Sequence, residues 1–174
     1  VELIIEIAKK CNWADFHIVG GDENDIDRVK SMTQSIDNLF IHGFMLPSEA
    51  EEFRMKMDVL LAPYQEKVHL SHGRLTTERW MSPLKIFEYM AAGKAIISSD
   101  LPVLREVLQD NYNCLLCPPN DVDAWSNALN ELRENESLRK KLGQNALDDL
   151  KNKYSWEVRA ENIIREAELE DCVR

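Results

Sequence analysis

The sequence predicts an α/β fold in which helices cover both faces of a parallel sheet. Two observations carry this prediction: helical and strand-like patterns alternate along nearly the whole chain, and the strand-like segments are short and apolar. Strands that alternate with helices are joined by right-handed crossovers and pair in parallel. Such strands are buried on both faces, which explains their uniformly apolar character. At 174 residues, the chain is long enough for one domain with a sizeable core.

The first half of the chain contains three helical and three strand patterns. Helix 2–11 is predicted by an apolar stripe at helical spacing, formed by Leu3, Ile4, Ile7 and Ala8. Pro47 and Ser48 open a later helix that runs to about Met55. A polar helix lies between the first two strands, each of which ends in Gly. The remaining predicted elements of this half are strands 15–21, 38–43 and 58–63 and helix 24–33.

The second half begins with a polar loop over 65–81, which is longer than most connections in a compact domain. Helices and strands alternate again after this loop. The predicted helices are 83–92, 101–109, 121–134, 136–152 and a last one after Trp156 that ends near Leu169, and the predicted strands are 95–99 and 113–117. We therefore expect one domain over 1–154 and a closing helical segment over 155–174.

The candidate binding residues follow the predicted strands. In parallel α/β sheets, ligands bind beyond the carboxyl ends of the strands. Each glycine there also fits an ordinary tight turn, but their joint placement at one sheet edge favours a binding site. The residues at these ends are Gly20, Gly21, Gly43, Phe44, Pro63, Tyr64 and Asp100.

The start of helix 83–92 is the most informative feature of the chain. Ser82 suits the N-cap and Pro83 the first helical position, so the amides of Leu84 and Lys85 would point out of the helix end. That end carries partial positive charge and can hold a phosphate. Glu88 lies one turn further on the same face, where its carboxylate could bind the vicinal hydroxyls of a ribose. The alternative is an ordinary capped amphipathic helix.

Composition narrows the classes of function. The net charge of −10 argues against a nucleic-acid or anionic-membrane surface. No apolar run approaches the roughly 20 residues that span a bilayer. The chain begins at Val1 inside a helical pattern and without a starting Met, so we expect an excised fragment.

Cysteine and histidine spacing does not predict a metal site. Cys114 and Cys117 form a CxxC in a strand pattern, where residues three apart face opposite ways. We therefore expect structural, reduced thiols, consistent with a cytoplasmic location. His69 and His72 lie in the polar loop without a third ligand at useful spacing, so no metal ion is expected.

The order of these motifs resembles the C-terminal half of retaining GT-B glycosyltransferases, and the large group that builds bacterial polysaccharides and glycolipids is the best match. The segment 82–107 resembles the group's central motif, and the likeness extends over nearly the whole chain. The supporting segments are Ile18–Gly21, Ile41–Phe44, Asp58–Tyr64, Asn111–Asp121 and Tyr154–Trp156.

The resemblance implies a Rossmann-like domain that binds a nucleotide-sugar, such as a UDP- or GDP-sugar, without an essential metal. Glu88 matches the second Glu of the group's Glu-x7-Glu motif, which binds the donor ribose. The diphosphate would lie against Gly20, Gly21, Ser82, Leu84 and Lys85, and the nucleobase side would be bordered by Phe44, Met45 and Tyr64. The resemblance assigns no catalytic residue.

Two departures from the group's pattern stand out. Trp80 occupies the position of the motif's first Glu, and Glu78 comes two residues early. The basic residues that neutralise the diphosphate and the acceptor-binding N-terminal domain would precede Val1. Through that missing domain, the protein could lie at the inner face of the membrane. We expect this chain alone to bind donor but not to transfer sugar.

Two other classes of function stay open at this point. A sugar-nucleotide epimerase of the GT-B type has a similar half-domain and would act on free nucleotide-sugar without an acceptor. A non-catalytic nucleotide-sugar-binding or scaffold domain is the other alternative, because Trp80 replaces the motif's first Glu.

Overall fold

The computed structural model describes residues 1–65 and 84–155, together with Glu157, Val158, Ala160 and Ile164. Within these residues, strands and helices alternate as predicted. The strands are β1 (Phe16–Val19), β2 (Leu39–Gly43), β3 (Val59–Ala62), β4 (Ala95–Ser99) and β5 (Leu115–Cys117). The α-helices are α1 (Glu2–Lys10), α2 (Glu23–Met32), α3 (Pro47–Lys56), α4 (Leu84–Ala91), α5 (Val122–Glu134) and α6 (Glu136–Asp149).

All described strand pairs are parallel, which confirms the predicted α/β class, but the strands form two sheets instead of one. β1 pairs with β2, and Ile18 lies beside Ile41. β4 lies between β3 and β5, where Ile97 is flanked by Leu61 and Leu115. Among the described residues, no ladder joins the two-stranded and three-stranded sheets.

One hydrophobic core nevertheless spans both sheets. It contains Phe16 of β1, Ile97 of β4 and the fully buried Trp125 of α5, and α1 packs on α5 above it. Trp125 donates its indole N–H to the Pro118 carbonyl at 2.9 Å, so its polar atom is satisfied. Helix packing therefore connects the two sheets where backbone hydrogen bonds do not.

A second core lies under α4 and involves the three-stranded sheet. Ile86 and Met90, one turn apart on α4, are buried against Ile96 of β4. This burial fixes which face of α4 points inward. The opposite face, with Leu84, Lys85 and Glu88, is exposed.

The prediction of a helix over 101–109 is wrong, because this segment forms only a 3₁₀ turn, at Leu104–Glu106. Leu101, Leu104 and Leu108 are all buried, and their spacing mimics a helical stripe. The buried side chain of Asn113 stops the helix, since it accepts from the Gln109 amide at 2.8 Å and donates to the Val107 carbonyl at 3.2 Å.

The outer edge of β5 is closed by the segment that precedes it. The Leu116 amide donates to the Asp110 carboxylate at 2.8 Å, and the Asn111 amide donates to the Cys114 carbonyl at 2.9 Å. Asn111 adopts a positive φ of 57°, which asparagine tolerates better than most residues. The turn therefore occupies hydrogen-bonding positions along this edge.

Helix α6 approaches the start of β4 through two glycines. A Cβ at Gly143 would lie 2.2 Å from the Gly93 carbonyl oxygen, so only glycine fits this contact. The helix ends in a π-helical turn over Leu150–Tyr154. Most of the predicted closing segment 155–174, including Trp156, lies outside the described residues, and the domain division stays a prediction.

Candidate functional site

The two-stranded sheet ends in a pair of glycine turns that are tied together. The Gly20 amide donates to the Gly43 carbonyl at 2.6 Å, and both residues have positive φ. A Cβ at Gly43 would lie 2.9 Å from Ile26, whereas one at Gly20 would meet nothing within 4 Å. Gly21 follows with a φ of 91°. The turn therefore presents backbone at Gly20 that a ligand can approach closely.

The start of α4 is the second part of the candidate site. Leu84 is 67% exposed, and Lys85 and Glu88 are also exposed. Leu84 and Glu88 are one helical turn apart, as predicted from their spacing. Ser82 and Pro83, the predicted cap and first residue, lie outside the described residues, as do Glu78 and Trp80. The predicted phosphate contacts of Ser82, Leu84 and Lys85 stay predictions.

Glu88 forms an ion pair that sequence reasoning missed. Its Oε2 lies 3.2 Å from Nη1 of Arg54 on α3, and the two side chains are 54% and 21% exposed, respectively. The Arg54 Nε is buried and has no hydrogen-bond partner among the described residues. In the sequence, Arg54 belongs to a polar helix with no buried residue, so no pattern distinguishes it from a solvated arginine.

Two tyrosines lie near the Glu88 carboxylate. Burial, and then the charge of Glu88, raise the pKa of Tyr64. Burial is also the main cause that raises the pKa of Tyr89 to about 12. The Tyr89 hydroxyl donates to the Leu61 carbonyl at 3.3 Å, and the Ser99 hydroxyl donates to the Tyr64 carbonyl at 2.7 Å. Both phenols are therefore neutral at neutral pH, and that of Tyr89 is already hydrogen-bonded.

The residues predicted for the nucleobase side follow two different strands, and their role in binding a base stays a prediction. Phe44 is 77% exposed just after β2, and Met45 helps to line a shallow cavity of about 330 Å³ on α3 with Glu49, Glu52, Phe53 and Lys56. Tyr64 lies instead after β3, near Glu88.

Asp100, the predicted edge residue after β4, is held by a neighbouring arginine. Its carboxylate accepts from Arg105 Nε at 2.5 Å and from Nη2 at 2.7 Å. These bonds hold the pKa of the Asp100 carboxyl below its ordinary value. The carboxylate is thus ionised and already paired at the end of β4.

The three cysteines that the structure describes, Cys11, Cys114 and Cys117, are buried free thiols, as predicted for structural thiols. Cys114 belongs to the core under α4, whereas Cys117 belongs to the core shared by both sheets, so the CxxC pair faces opposite sides. Burial raises the pKa of Cys114 to about 12 and that of Cys117 to about 11. His69, His72 and Cys172 lie outside the described residues, within which no group of three potential metal ligands occurs.

Comparison with known families gives a match over most of the chain. The family model described as "Glycosyl transferases group 1" matches residues 1–135. An uncharacterised glycosyltransferase of Methanocaldococcus jannaschii is 33% identical over 158 residues, which are 90% of this chain and 37% of the relative. A phosphatidyl-myo-inositol mannosyltransferase of Mycolicibacterium smegmatis is 35% identical over 80 residues, 46% of this chain and 20% of that enzyme.

Solved structures share the fold. The C-terminal domain of LpcC, a group 1 glycosyltransferase of Francisella tularensis, matches with a TM-score of 0.70 at 22% identity, covering 89% of this chain and 79% of that one. Anabaena HepE, solved with UDP and glucose, matches with a TM-score of 0.72 at 17% identity, covering 95% and 43%. These neighbours are GT-B glycosyltransferases, which confirms the predicted fold.

The described part of the chain contains no helix that combines the length and the apolar character of a membrane span. The chain spans less than half the length of the curated relatives it matches. The strand-end turns, the start of α4 and the family match over residues 1–135 lead to one conclusion: this chain belongs to the group 1 glycosyltransferase family.

Proposed function

We propose that this chain is the donor-binding half of a glycosyltransferase that moves a sugar from a nucleoside-diphosphate sugar to an acceptor with retention. The observation that carries the proposal is the exposed Glu88 one turn below the start of α4. The open backbone at Gly20, at the end of β1, adds a second place that a ligand can approach. The HepE structure with UDP-glucose supports the choice of ligand class.

The proposed chemistry is departure of a nucleoside diphosphate from the sugar. Negative charge grows on the diphosphate as the glycosidic bond breaks, and the partial positive charge at the start of α4 would stabilise it. The Lys85 side chain would add a full positive charge. Glu88 would bind and orient the ribose and would not exchange protons with the sugar.

We propose that donor binding needs no metal ion, because the helix start and Lys85 would stabilise the diphosphate charge directly. The sequence pairs Asp121 with Asp123, but Asp121 caps α5 by accepting from the Ala124 amide at 3.0 Å. UDP binding should therefore survive an excess of EDTA. Binding that is lost with EDTA and restored by magnesium would contradict this proposal.

The test is calorimetric titration of the folded chain with UDP and, in parallel, GDP. Glu88→Gln should weaken binding of the preferred nucleotide by about tenfold or more, the effect of losing a charged hydrogen-bond partner at about 1.5–3 kcal/mol. Glu136→Gln is a matched control, since Glu136 is also an exposed helical glutamate in an ion pair, 2.6 Å from Lys140.

Failure of the unmodified chain to bind either nucleotide would overturn the proposed function. Equal affinities of the chain and its Glu88→Gln variant would overturn the role of Glu88 alone. Sugar transfer by the purified 174-residue chain without a partner would contradict the proposal that it is a half-enzyme, because transfer requires acceptor and donor to be held together.

A further inference from the structure

The Arg54–Glu88 pair differs from the other ion pairs of the described residues. Arg54 is only 21% exposed, whereas Lys9, Lys10, Arg28, Arg105, Lys140 and Lys153 are all at least 50% exposed in theirs. An ion pair between two exposed side chains contributes little, because both charges stay solvated. Withdrawing a guanidinium from water is costly unless an acceptor compensates it. Glu88 supplies that acceptor.

The geometry of the pair leaves part of each group open. Nη1 of Arg54 is paired with Oε2 of Glu88, whereas the buried Nε–H of Arg54 has no acceptor within the described ranges. The Glu88 side chain is 54% exposed, and its other oxygen, Oε1, takes part in no ion pair or hydrogen bond with the described residues. One carboxylate oxygen is thus tied to α3 while the other can accept from a ligand.

The pair also connects parts of the chain that belong to different sheets. Arg54 lies on α3, directly after β2 of the two-stranded sheet. Glu88 lies on α4, which packs against the three-stranded sheet through Ile86 and Met90. Helix α3 has no fully buried residue, so burial of the helix in a core does not account for the low exposure of Arg54.

We infer that Arg54 is a positioning residue for the Glu88 carboxylate. It fixes Oε2 and so directs Oε1 toward the vicinal hydroxyls of a ribose in a nucleoside diphosphate. This inference rests on the proposed function and extends it to a residue on a different helix. The planar guanidinium restricts the orientation of a carboxylate more than the compact ammonium of a lysine does.

The test compares UDP with 2′-deoxy-UDP, and GDP with 2′-deoxy-GDP, by calorimetric titration of the full chain. If the Glu88 carboxylate binds the ribose hydroxyls, the unmodified chain should bind the ribonucleotide more tightly than the 2′-deoxyribonucleotide, by about fivefold or more in affinity. Arg54→Met should reduce that preference toward one, mainly by weakening binding of the ribonucleotide. Arg54→Lys should restore part of it. Lys140→Met removes the cation of an exposed ion pair on α6, away from the candidate site, and should leave the preference unchanged.

The outcomes separate this inference from the function on which it rests. Lack of binding by the unmodified chain overturns both. A chain that binds UDP or GDP, but whose ribose preference is unchanged in Arg54→Met, overturns the positioning role only. An equal loss of affinity for ribo- and deoxyribonucleotide also overturns it, because a general structural or electrostatic effect does not distinguish the two ligands.

A second measurement needs no nucleotide. Urea midpoints of Arg54→Met, Glu88→Gln and the double variant form a mutant cycle. We expect the urea midpoint of the double variant to fall by less than the sum of the falls in the two single variants. Either change alone leaves one member of the pair without its partner, whereas the double variant removes both. Additive shifts would show that the two groups do not interact in solution and would overturn the inference.

Discussion

The two sheets bury their strands to very different depths. In the three-stranded sheet, every residue of β4 is buried, whereas β1 and β2 alternate between the core and exposed positions such as His17 and Phe40. The candidate site draws on both: the glycine turns extend from the shallow sheet, and Glu88 is carried by the helix on the deep one. We conclude that the deep sheet supplies most of the stability and that the shallow sheet contributes chiefly to the site.

The largest effect is expected at the glycine contact on the deep side. Gly143→Ala would place a Cβ 2.2 Å from the Gly93 carbonyl oxygen, which forces α6 away from the start of β4. We expect a loss of about 3 kcal/mol or more in the free energy of unfolding, at the upper end for overpacking. Urea denaturation measures this loss, and Ser137→Ala on an exposed position of α6 is the control. A loss below about 1 kcal/mol would contradict the close approach.

Two isoleucines, one in each sheet, test how much each sheet contributes to stability. Ile97 is fully buried in β4, and Ile18 is half-buried in β1. Ile97→Ala should cost about 3–4 kcal/mol of unfolding free energy, as for other fully buried isoleucines. Ile18→Ala should cost about 1 kcal/mol, since less of its surface leaves water on folding. Equal losses in urea denaturation would refute the proposed difference between the sheets.

A matched asparagine pair tests the polar contacts. Asn113 is buried, and besides its two backbone bonds its amide donates to the Asp149 carboxylate at 3.0 Å. Asn38 is half-buried and donates to the carbonyls of Ala8 and Cys11 at the end of α1 and to that of Ala14 beyond it, the last at 2.8 Å. Asn113→Ala should cost about 2–3 kcal/mol, because it leaves buried polar groups unsatisfied.

Asn38→Ala should cost only about 1 kcal/mol, since the hydrogen bonds that it removes are only partly buried. The same urea titration measures both variants. A larger loss for Asn38→Ala than for Asn113→Ala would reverse the ranking of the two regions.

The smallest effect is expected in the shallow sheet, from a change of pH between 7.5 and 5.0. His17 Nδ1 lies 2.9 Å from His42 Nε2, and its ring stacks on Phe40 and meets the edge of Phe53. Burial and the neighbouring His42 hold the pKa of His17 below its ordinary value of 6.5, against an opposing effect of Asp15. The folded chain therefore binds this proton more weakly than the unfolded chain does.

The direction in which stability changes with pH follows from that difference in proton binding. Stability due to His17 is present above pH 6.5 and is lost as the pH falls from 6.5 through the lower folded value. Lowering the pH from 7.5 to 5.0 should thus reduce the urea midpoint by more in the unmodified chain than in His17→Phe. This variant keeps an aromatic ring at the position but removes the titrating group. Identical falls in both proteins would exclude a contribution from His17.

Local sequence patterns predicted most elements, because burial and backbone preference act over a few residues. Gly43, for example, ends β2 with the positive φ that its position suggested. The division into two sheets was not predicted, since strand pairing depends on contacts distant in sequence. The helix over 101–109 failed because Asn113 competes for its backbone groups from outside the segment.

The site was predicted only where it is local. The turn of α4 that carries Leu84, Lys85 and Glu88 follows from helical spacing, and the structure forms it. Arg54 is 34 positions before Glu88, and no local rule joins an exposed-looking arginine on α3 with a carboxylate on α4. Tertiary packing brings the two side chains together, so the ion pair is visible only in the three-dimensional structure.

The closed outer edge of β5 has a consequence for behaviour at high concentration. An unpaired strand edge can template the addition of a strand from another molecule, which is a common route to aggregation. Here the Asp110 carboxylate already accepts from Leu116, and the Asn111 amide already uses the Cys114 carbonyl. A strand from a second molecule would have to displace both bonds and approach a negative charge. A short polar turn thus protects the β5 edge of the three-stranded sheet from edge-to-edge association.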